Sequence, residues 1–233
     1  MNESVTSGDP VVVHTIVRAD QAAVARLAAL GVTTVHEAQE RRGLLDAAVR
    51  PIQQGVRLAG PAVTVLCQPG DNLMIHLAVE VCREGDVLVV AMASPSSDGV
   101  LGELLATSLR AHGVIAAIVD AGVRDVAELR AMRFPVWSRW ISAQGTSKTH
   151  PGAVNRPIVC AGHLVSPGDV IVADDDGAVC VAARDAAEVA ERAEQRAAHE
   201  DQLRERLAAG ELSADLLGLR WPADRDGSAS RER

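Results

Sequence analysis

Residues 98–125 read D-G-V-L-G-E-L-L-A-T-S-L-R-A-H-G-V-I-A-A-I-V-D-A-G-V-R-D, and this stretch decides the fold. It parses as a loop, a helix opening at Gly102, a strand, and a tight turn ending in Arg124-Asp125. Just upstream, residues 86–92 (D-V-L-V-V-A-M) read as a buried strand. Strand, helix and strand make a βαβ unit. Its two strands run parallel, so the helix starts at the edge where both strands end. The N–H groups around Gly102, Glu103, Leu104 and Leu105 therefore meet Arg124 and Asp125 at one carboxyl edge. Ligands of open α/β sheets bind at such an edge.

The rest of the chain follows outward from this unit. Residues 1–10 read as a flexible lead-in, and Val11 to Val17 as a short apolar segment. Asp20 to Leu30 has helical periodicity, with Asp20 as N-cap and Gly31 as its stop. Thr33 to Arg42 reads as a second helix stopped by Gly43. Arg57 to Leu66 is a strand with a Gly-Pro bend, and Gly70-Asp71-Asn72 opens a helix running to about Arg83. Val126 to Met132 is a short helix, Pro135 to Trp140 a strand, and Ser142 to Pro157 a Gly/Ser/Thr-rich loop. Short strands follow at 158–161 and 164–165. Residues 170–173 and 178–182 flank D-D-D-G (174–177), a hairpin signal whose acidic turn reads as solvated. Residues 185–209 form a long, charged C-terminal helix, ended by Gly210. The polar residues 211–233 read as a tail. A helix this polar projects from its domain unless a partner covers it, which suggests an oligomer.

The 233 residues suit one domain, here 11–210 including the helix 185–209. Strand–helix alternation followed by hairpins indicates an α/β fold with a mixed sheet. There is no G-x-G-x-x-G after the first strand and no G-K-S/T, so neither a dinucleotide fold nor a P-loop is indicated. A net charge of -8 and 2% aromatics without tyrosine argue against nucleic acid. The N-terminus lacks an apolar signal core, and no run approaches the ~20 residues of a membrane span, so a cytoplasmic protein is expected. The four cysteines, at 67, 82, 160 and 180, form no C-x-x-C and sit in apolar runs, as reduced buried thiols do.

Several residues could carry chemistry. Arg124 offers a fork for a carboxylate and Asp125 a hard oxygen ligand; a surface ion pair is the plain alternative. Glu103 suits the helix dipole, while the free N–H groups beside it make an anion site. Asn72 and His76, at i and i+4, fall on one helix face, either as core groups or as a site. His150, in K-T-H-P-G, reads as an exposed loop histidine, with phosphoryl transfer as the rival reading. Together these features point to a metal-assisted site for a small 2-oxo acid.

Seven stretches in order narrow that reading: G-P-A-V-T-V (60–65), G-D-N-L-M-I-H (70–76), G-E-L-L-A (102–106), V-D-A-G-V-R-D (119–125), S-A-Q-G-T-S-K (142–148), V-N-R-P-I-V-C-A-G (154–162) and V-S-P-G-D-V-I-V-A-D-D-D-G (165–177). They resemble the 4-hydroxy-4-methyl-2-oxoglutarate / 4-carboxy-4-hydroxy-2-oxoadipate aldolase family, which shares its fold with regulators of ribonuclease E activity. The resemblance implies an α-β-β-α sandwich of the phosphohistidine swivelling-domain type, assembled as a homotrimer or a hexamer with active sites between subunits. It implies a lyase of aromatic-acid catabolism, a class II aldolase using Mg2+ or Mn2+, with oxaloacetate decarboxylase side activity. By the same resemblance Arg124 binds and polarises the pyruvate unit and Asp125 is the metal's protein ligand. Glu103 orients water at the metal, the amides of Leu104 and Leu105 bind the substrate carboxylate, and Glu200 arrives from a neighbouring subunit. T-V-H-E-A (34–38) departs from the family pattern. A non-catalytic ribonuclease regulator of the same fold is the competing expectation.

Overall fold

The computed structural model describes residues 11–219. The lead-in at 1–10 and the end of the tail, 220–233, lie outside the described residues. In chain order the elements are β1 (Val11–Val12), α1 (Gln21–Ala28), α2 (Val32–Ala38), β2 (Arg50–Pro51), β3 (Leu58–Cys67), α3 (Leu73–Ala78, continued by a 3-10 turn at Val79–Val81), β4 (Val87–Met92), β5 (Gly99–Leu101), α4 (Glu103–Ala111), β6 (Ala116–Val123), α5 (Val126–Ala131) and β7 (Val136–Ile141). There follow β8 (Ala153–Val154), β9 (Ile158–Cys160), β10 (His163–Val165), β11 (Val170–Asp174), β12 (Gly177–Val181), α6 (Ala186–Ala208) and α7 (Ser213–Leu216). This is a mixed α/β fold with one large sheet and a long C-terminal helix. The chain divides inside α6, one compact unit reaching Ala193 and a second starting at Glu194.

The βαβ unit forms, but the stretch before Gly102 that reads as a loop includes a short strand, β5. β4 pairs parallel with β6, and β6 with β7. The short β5 lies parallel to β6 and delivers the chain to α4. β4 alternates cleanly: Leu88 and Val90 face the α3–α4–α5 side, while Val87, Val89 and Ala91 face β9–β12. A strand buried on both faces needs this near-continuous apolar run.

Three clusters define the layers of the first unit. The first packs α3, α4 and α5 on one face of β3, β4, β6 and β7. The second fills the space between the opposite face and β9–β12, with Trp137 fully buried at its centre. The third packs α1, α2 and the start of α6 on the outer face of β11 and β12.

β3 is the strand that joins these layers. Leu58 to Pro61 pair antiparallel with β11, and Ala62 to Cys67 pair parallel with β4. The exchange of partners falls at Gly60-Pro61, the expected bend. A β-carbon at Gly60 would lie 2.4 Å from the Gly85 carbonyl oxygen, so only glycine allows that approach.

Several boundaries differ from the sequence reading. Asp20 does cap α1, accepting from the Ala23 N–H at 3.1 Å. Gly31, however, is the N-cap of α2, and that helix ends at Ala38, four residues early. Glu40 and Arg41 turn left-handed, at φ 60°, before Gly43 is reached. The D-D-D-G turn is not simply solvated. Asp174 is buried, and its carboxylate accepts from the Val32 N–H at 2.9 Å, capping α2 from the far end of the chain. All four cysteines are free; three are buried and Cys82 is half-buried. Residues 213–216 of the expected tail form α7. No described helix is long and apolar enough to cross a membrane.

Candidate functional site at the carboxyl edge

β5 ends at Leu101, and Gly102 starts α4 with extended backbone and no side-chain cap of its own. The cap comes from Asp125 instead: its Oδ2 accepts the Glu103 N–H at 3.1 Å. The first helical bond of α4 runs from the Ala106 N–H to the Gly102 carbonyl at 3.0 Å. The Leu104 and Leu105 N–H groups precede it and have no partner within the helix. They remain as donors at the positive end of the helix dipole, where an anion is favoured.

Arg124 and Asp125 follow the last residue of β6. The Arg124 N–H donates to the Leu101 carbonyl at 2.9 Å, which locks the two strand ends together. Asp125 adopts the left-handed conformation, φ 55° and ψ 42°, and so turns its carboxylate back onto α4. A short polar side chain tolerates that conformation better than most. Arg124 Nε lies 3.8 Å from Asp125 Oδ2, and both side chains are nearly half exposed. An exposed pair of this kind contributes about 0–1 kcal/mol to stability, so it is no structural necessity and leaves the guanidinium available.

Gly102 is fixed by this crowding. A β-carbon there would lie 2.4 Å from Asp125 Oδ2 and 2.9 Å from Arg124 Cγ. Glu103 Oε1 accepts from the Thr107 hydroxyl at 3.0 Å, one turn along the helix. Leu105 is buried under α4. Leu104 is 81% exposed, so its side chain projects from the lip of the site.

The remaining residues singled out in the sequence distribute differently. Asn72 precedes α3 rather than sharing a face with His76. It is buried, and its Nδ2 donates to the Val100 carbonyl at 2.9 Å, supporting the strand that feeds Gly102. Its Oδ1 is buried without a hydrogen-bond partner. His76 is exposed. Desolvation, and then the Lys148 ammonium, lower its pKa. Glu200 lies on α6 beyond Ala193, in the second unit, where its Oε1 is 2.8 Å from Arg196 Nε.

Asp71 is the residue the sequence did not reveal. It is 1% exposed, and its carboxylate gathers an entire loop. Oδ2 accepts from the Ser147 hydroxyl at 2.6 Å, the Thr149 N–H at 2.7 Å and the His150 N–H at 3.0 Å, with His150 Nδ1 at 3.2 Å. Oδ1 accepts from the Leu73 N–H at 2.8 Å. Burial works against the charge, but the hydrogen bonds, Ser147 first, outweigh it and hold the group well below the usual carboxylate range. G-D-N before a helix signals a start; only the fold shows what the carboxylate holds.

Among the described residues, no group of three His, Cys, Asp or Glu side chains forms a metal cage. A cation at this edge would have one protein carboxylate, Asp125, and water for its other ligands. That donor set suits a hydrated Mg2+ or Mn2+ and not a structural zinc.

The RraA-like family, Aldolase/RraA, matches residues 28–180, which contain α2 through β11 and all but the last residue of β12. A protein of Halalkalibacterium halodurans named "Putative 4-hydroxy-4-methyl-2-oxoglutarate aldolase" is 28% identical over 188 residues, covering 81% of this chain and 87% of its own. A Burkholderia multivorans protein of the same name is 32% identical over 134 residues, 58% of this chain and 81% of its own. Among solved structures, Streptomyces coelicolor RraAS2, described as an unusual member of the RNase ES inhibitor RraA protein family, superposes with a TM-score of 0.71 at 28% identity. That match covers 84% of this chain and 100% of the other. With its matched span enclosing the whole carboxyl edge, the chain belongs to the RraA-like, Aldolase/RraA, family.

Proposed function

We propose that the protein is a divalent-metal-dependent (class II) aldolase that cleaves 4-hydroxy-4-methyl-2-oxoglutarate and 4-carboxy-4-hydroxy-2-oxoadipate, giving pyruvate plus pyruvate or oxaloacetate. The observation that carries this reading is one juxtaposition. A guanidinium fork, two unpartnered helix-start N–H groups and a carboxylate stand together at the edge where β5 and β6 end. A 2-oxo acid has complementary parts: a carboxylate for the N–H groups and a 2-oxo oxygen for Arg124.

Mg2+ or Mn2+ on Asp125 would supply Lewis acidity toward the 2-oxo acid. The other work belongs to side chains and amides. Leu104 and Leu105 N–H groups hold the substrate carboxylate. Arg124 stabilises the negative charge that develops on the pyruvate half as the C3–C4 bond breaks. Glu103, with Glu200 of a neighbouring copy, positions the base that takes the C4 hydroxyl proton. Loss of CO2 from oxaloacetate builds the same charge, so decarboxylation accompanies cleavage. Lys148 is not needed as a Schiff-base amine.

This reading places the site between copies in a homotrimer or hexamer, in a four-layer fold related to phosphohistidine swivelling domains. The decisive experiment is a coupled pyruvate assay on the two substrates with excess Mg2+. Arg124→Ala is expected to lower kcat/KM by about 100-fold, the scale for one lost oxyanion donor. A variant rate near wild type removes Arg124 from the role given to it. The likeness to RraAS2 favours a second reading, a non-catalytic ribonuclease regulator. Wild-type protein that releases no pyruvate from either substrate, yet binds a ribonuclease, would establish that reading instead.

A further inference from the structure

Asp71 stands apart from the residues given a chemical role above, yet it is the most heavily hydrogen-bonded carboxylate near the edge. Apart from the Leu73 N–H, its contacts go to one loop. Ser147 sits in register with it as a parallel bridge, with the Ser147 N–H donating to the Gly70 carbonyl at 2.8 Å and the Asn72 N–H to the Ser147 carbonyl at 3.1 Å. Thr149 and His150 then wrap the carboxylate with two N–H groups and the imidazole Nδ1.

The same loop touches the site at its other end. The Gly99 N–H donates to the Gln144 carbonyl at 2.8 Å, and the Ser142 N–H to the Val123 carbonyl at 2.9 Å. A β-carbon at Gly145 would lie 3.5 Å from Arg124 Nη1, and one at Gly99 would lie 3.1 Å from Arg124 Cβ and 2.5 Å from the Ser142 carbonyl oxygen. The backbone of residues 142–145 therefore fronts the Arg124 side chain, while residues 147–150 are fastened to Asp71. Between the two anchor points lies only Thr146.

From this geometry we infer that Asp71 is a positioning residue: it fastens the 142–150 loop, and through the loop's backbone it sets the orientation of the Arg124 guanidinium. The loop is otherwise polar and surface-lying, and such a segment has few apolar contacts to order it. A buried carboxylate that holds four loop groups, the Ser147 hydroxyl, the Thr149 and His150 N–H groups and the His150 imidazole, supplies the order instead, since charge-assisted bonds are about twice as strong as neutral ones. Ser147 is the arm nearest the site, and Asn72 completes the support from below by holding Val100. The inference rests on the functional reading above and deepens it, because it gives the loop a part in aiming Arg124 at the 2-oxo oxygen.

Asp71→Asn keeps the shape and removes the charge, leaving either the loop donors or Leu73 N–H facing an amide NH2. Ser147→Ala removes a single arm and serves where Asp71→Asn fails to fold. Two readouts do not depend on activity. Hydrogen exchange of the 142–150 amides is expected to quicken at least ten-fold, with residues 87–92 unchanged. The rate at which phenylglyoxal modifies Arg124, read by peptide mass mapping, is expected to change several-fold. A third readout is kinetic: kcat per active site, with active sites counted by titration, falls ten-fold or more, whereas a merely structural lesion would lower the number of active sites and leave the per-site kcat alone. Wild-type exchange and wild-type Arg124 reactivity in both variants would overturn the inference. If wild-type protein releases no pyruvate, the functional reading fails alone, and exchange and labelling still decide whether Asp71 fastens the loop.

Discussion

Gly102→Ala tests how tightly the edge is built. The backbone at Gly102 is extended, φ -139° and ψ -173°, so alanine meets no conformational penalty and the whole effect is steric. Its β-carbon would lie 2.4 Å from Asp125 Oδ2, where ordinary contact begins at 3.4 Å. One of the two groups must yield by about an ångström. Arg124 Cγ and Nε close the other side at 2.9 and 3.0 Å, so Asp125 is the group that can swing. Swinging breaks its bond to the Glu103 N–H, the only cap of α4. Loss of a hydrogen bond to a charged group costs about 1.5–3 kcal/mol. At about 2–4 °C per kcal/mol for a chain of this size, Tm falls by about 3–12 °C. Displacing catalytic groups by about 1 Å lowers turnover by about 100-fold. The assays are thermal unfolding by circular dichroism and coupled pyruvate release on the same preparation. Gly102→Ala with wild-type Tm and wild-type kcat/KM would refute the crowding, and with it the claim that Asp125 caps α4.

Other outcomes follow from groups outside the edge. Asp86 is fully buried and receives Arg18 Nε and Nη2 at 2.7 Å each, together with the Arg83 N–H; Arg18→Ala strands that charge and should cost about 3–5 kcal/mol in urea unfolding. Asp71 has a depressed folded-state pKa, so its stabilisation is complete above the unfolded carboxylate value of about 3.9 and is lost as pH falls below it. The stability gap between wild type and Asp71→Asn should accordingly be full at pH 7 and shrink toward pH 2.5; a gap independent of pH contradicts the assignment. Burial pushes the Cys67 and Cys82 thiols up to about 12, and Cys160 and Cys180 higher still, so all four should resist alkylation at pH 8 until the protein is unfolded.

The amino-acid sequence by itself determined the strand–helix–strand unit of residues 86–125, because a buried parallel strand demands an unbroken apolar run and a helix start demands its glycine. It also determined that Arg124, Asp125 and the start of α4 share an edge, since parallel strands leave no other arrangement. Local signals were less sure where a distant group took over. Gly31 reads as a stop but serves as an N-cap, because Asp174 from another hairpin satisfies the Val32 N–H. Asn72 and His76 fit a helical spacing, yet one supports Val100 and the other meets solvent. Only the tertiary structure decided that Asp125 caps α4 from across the sheet, that Gly102 has no room for a side chain, and that Asp71 holds a loop 76 to 79 positions away. The physical reason is common to all three. A carboxylate satisfies whichever N–H groups the fold brings to it, and spacing along the chain carries no record of partners that are close only in space.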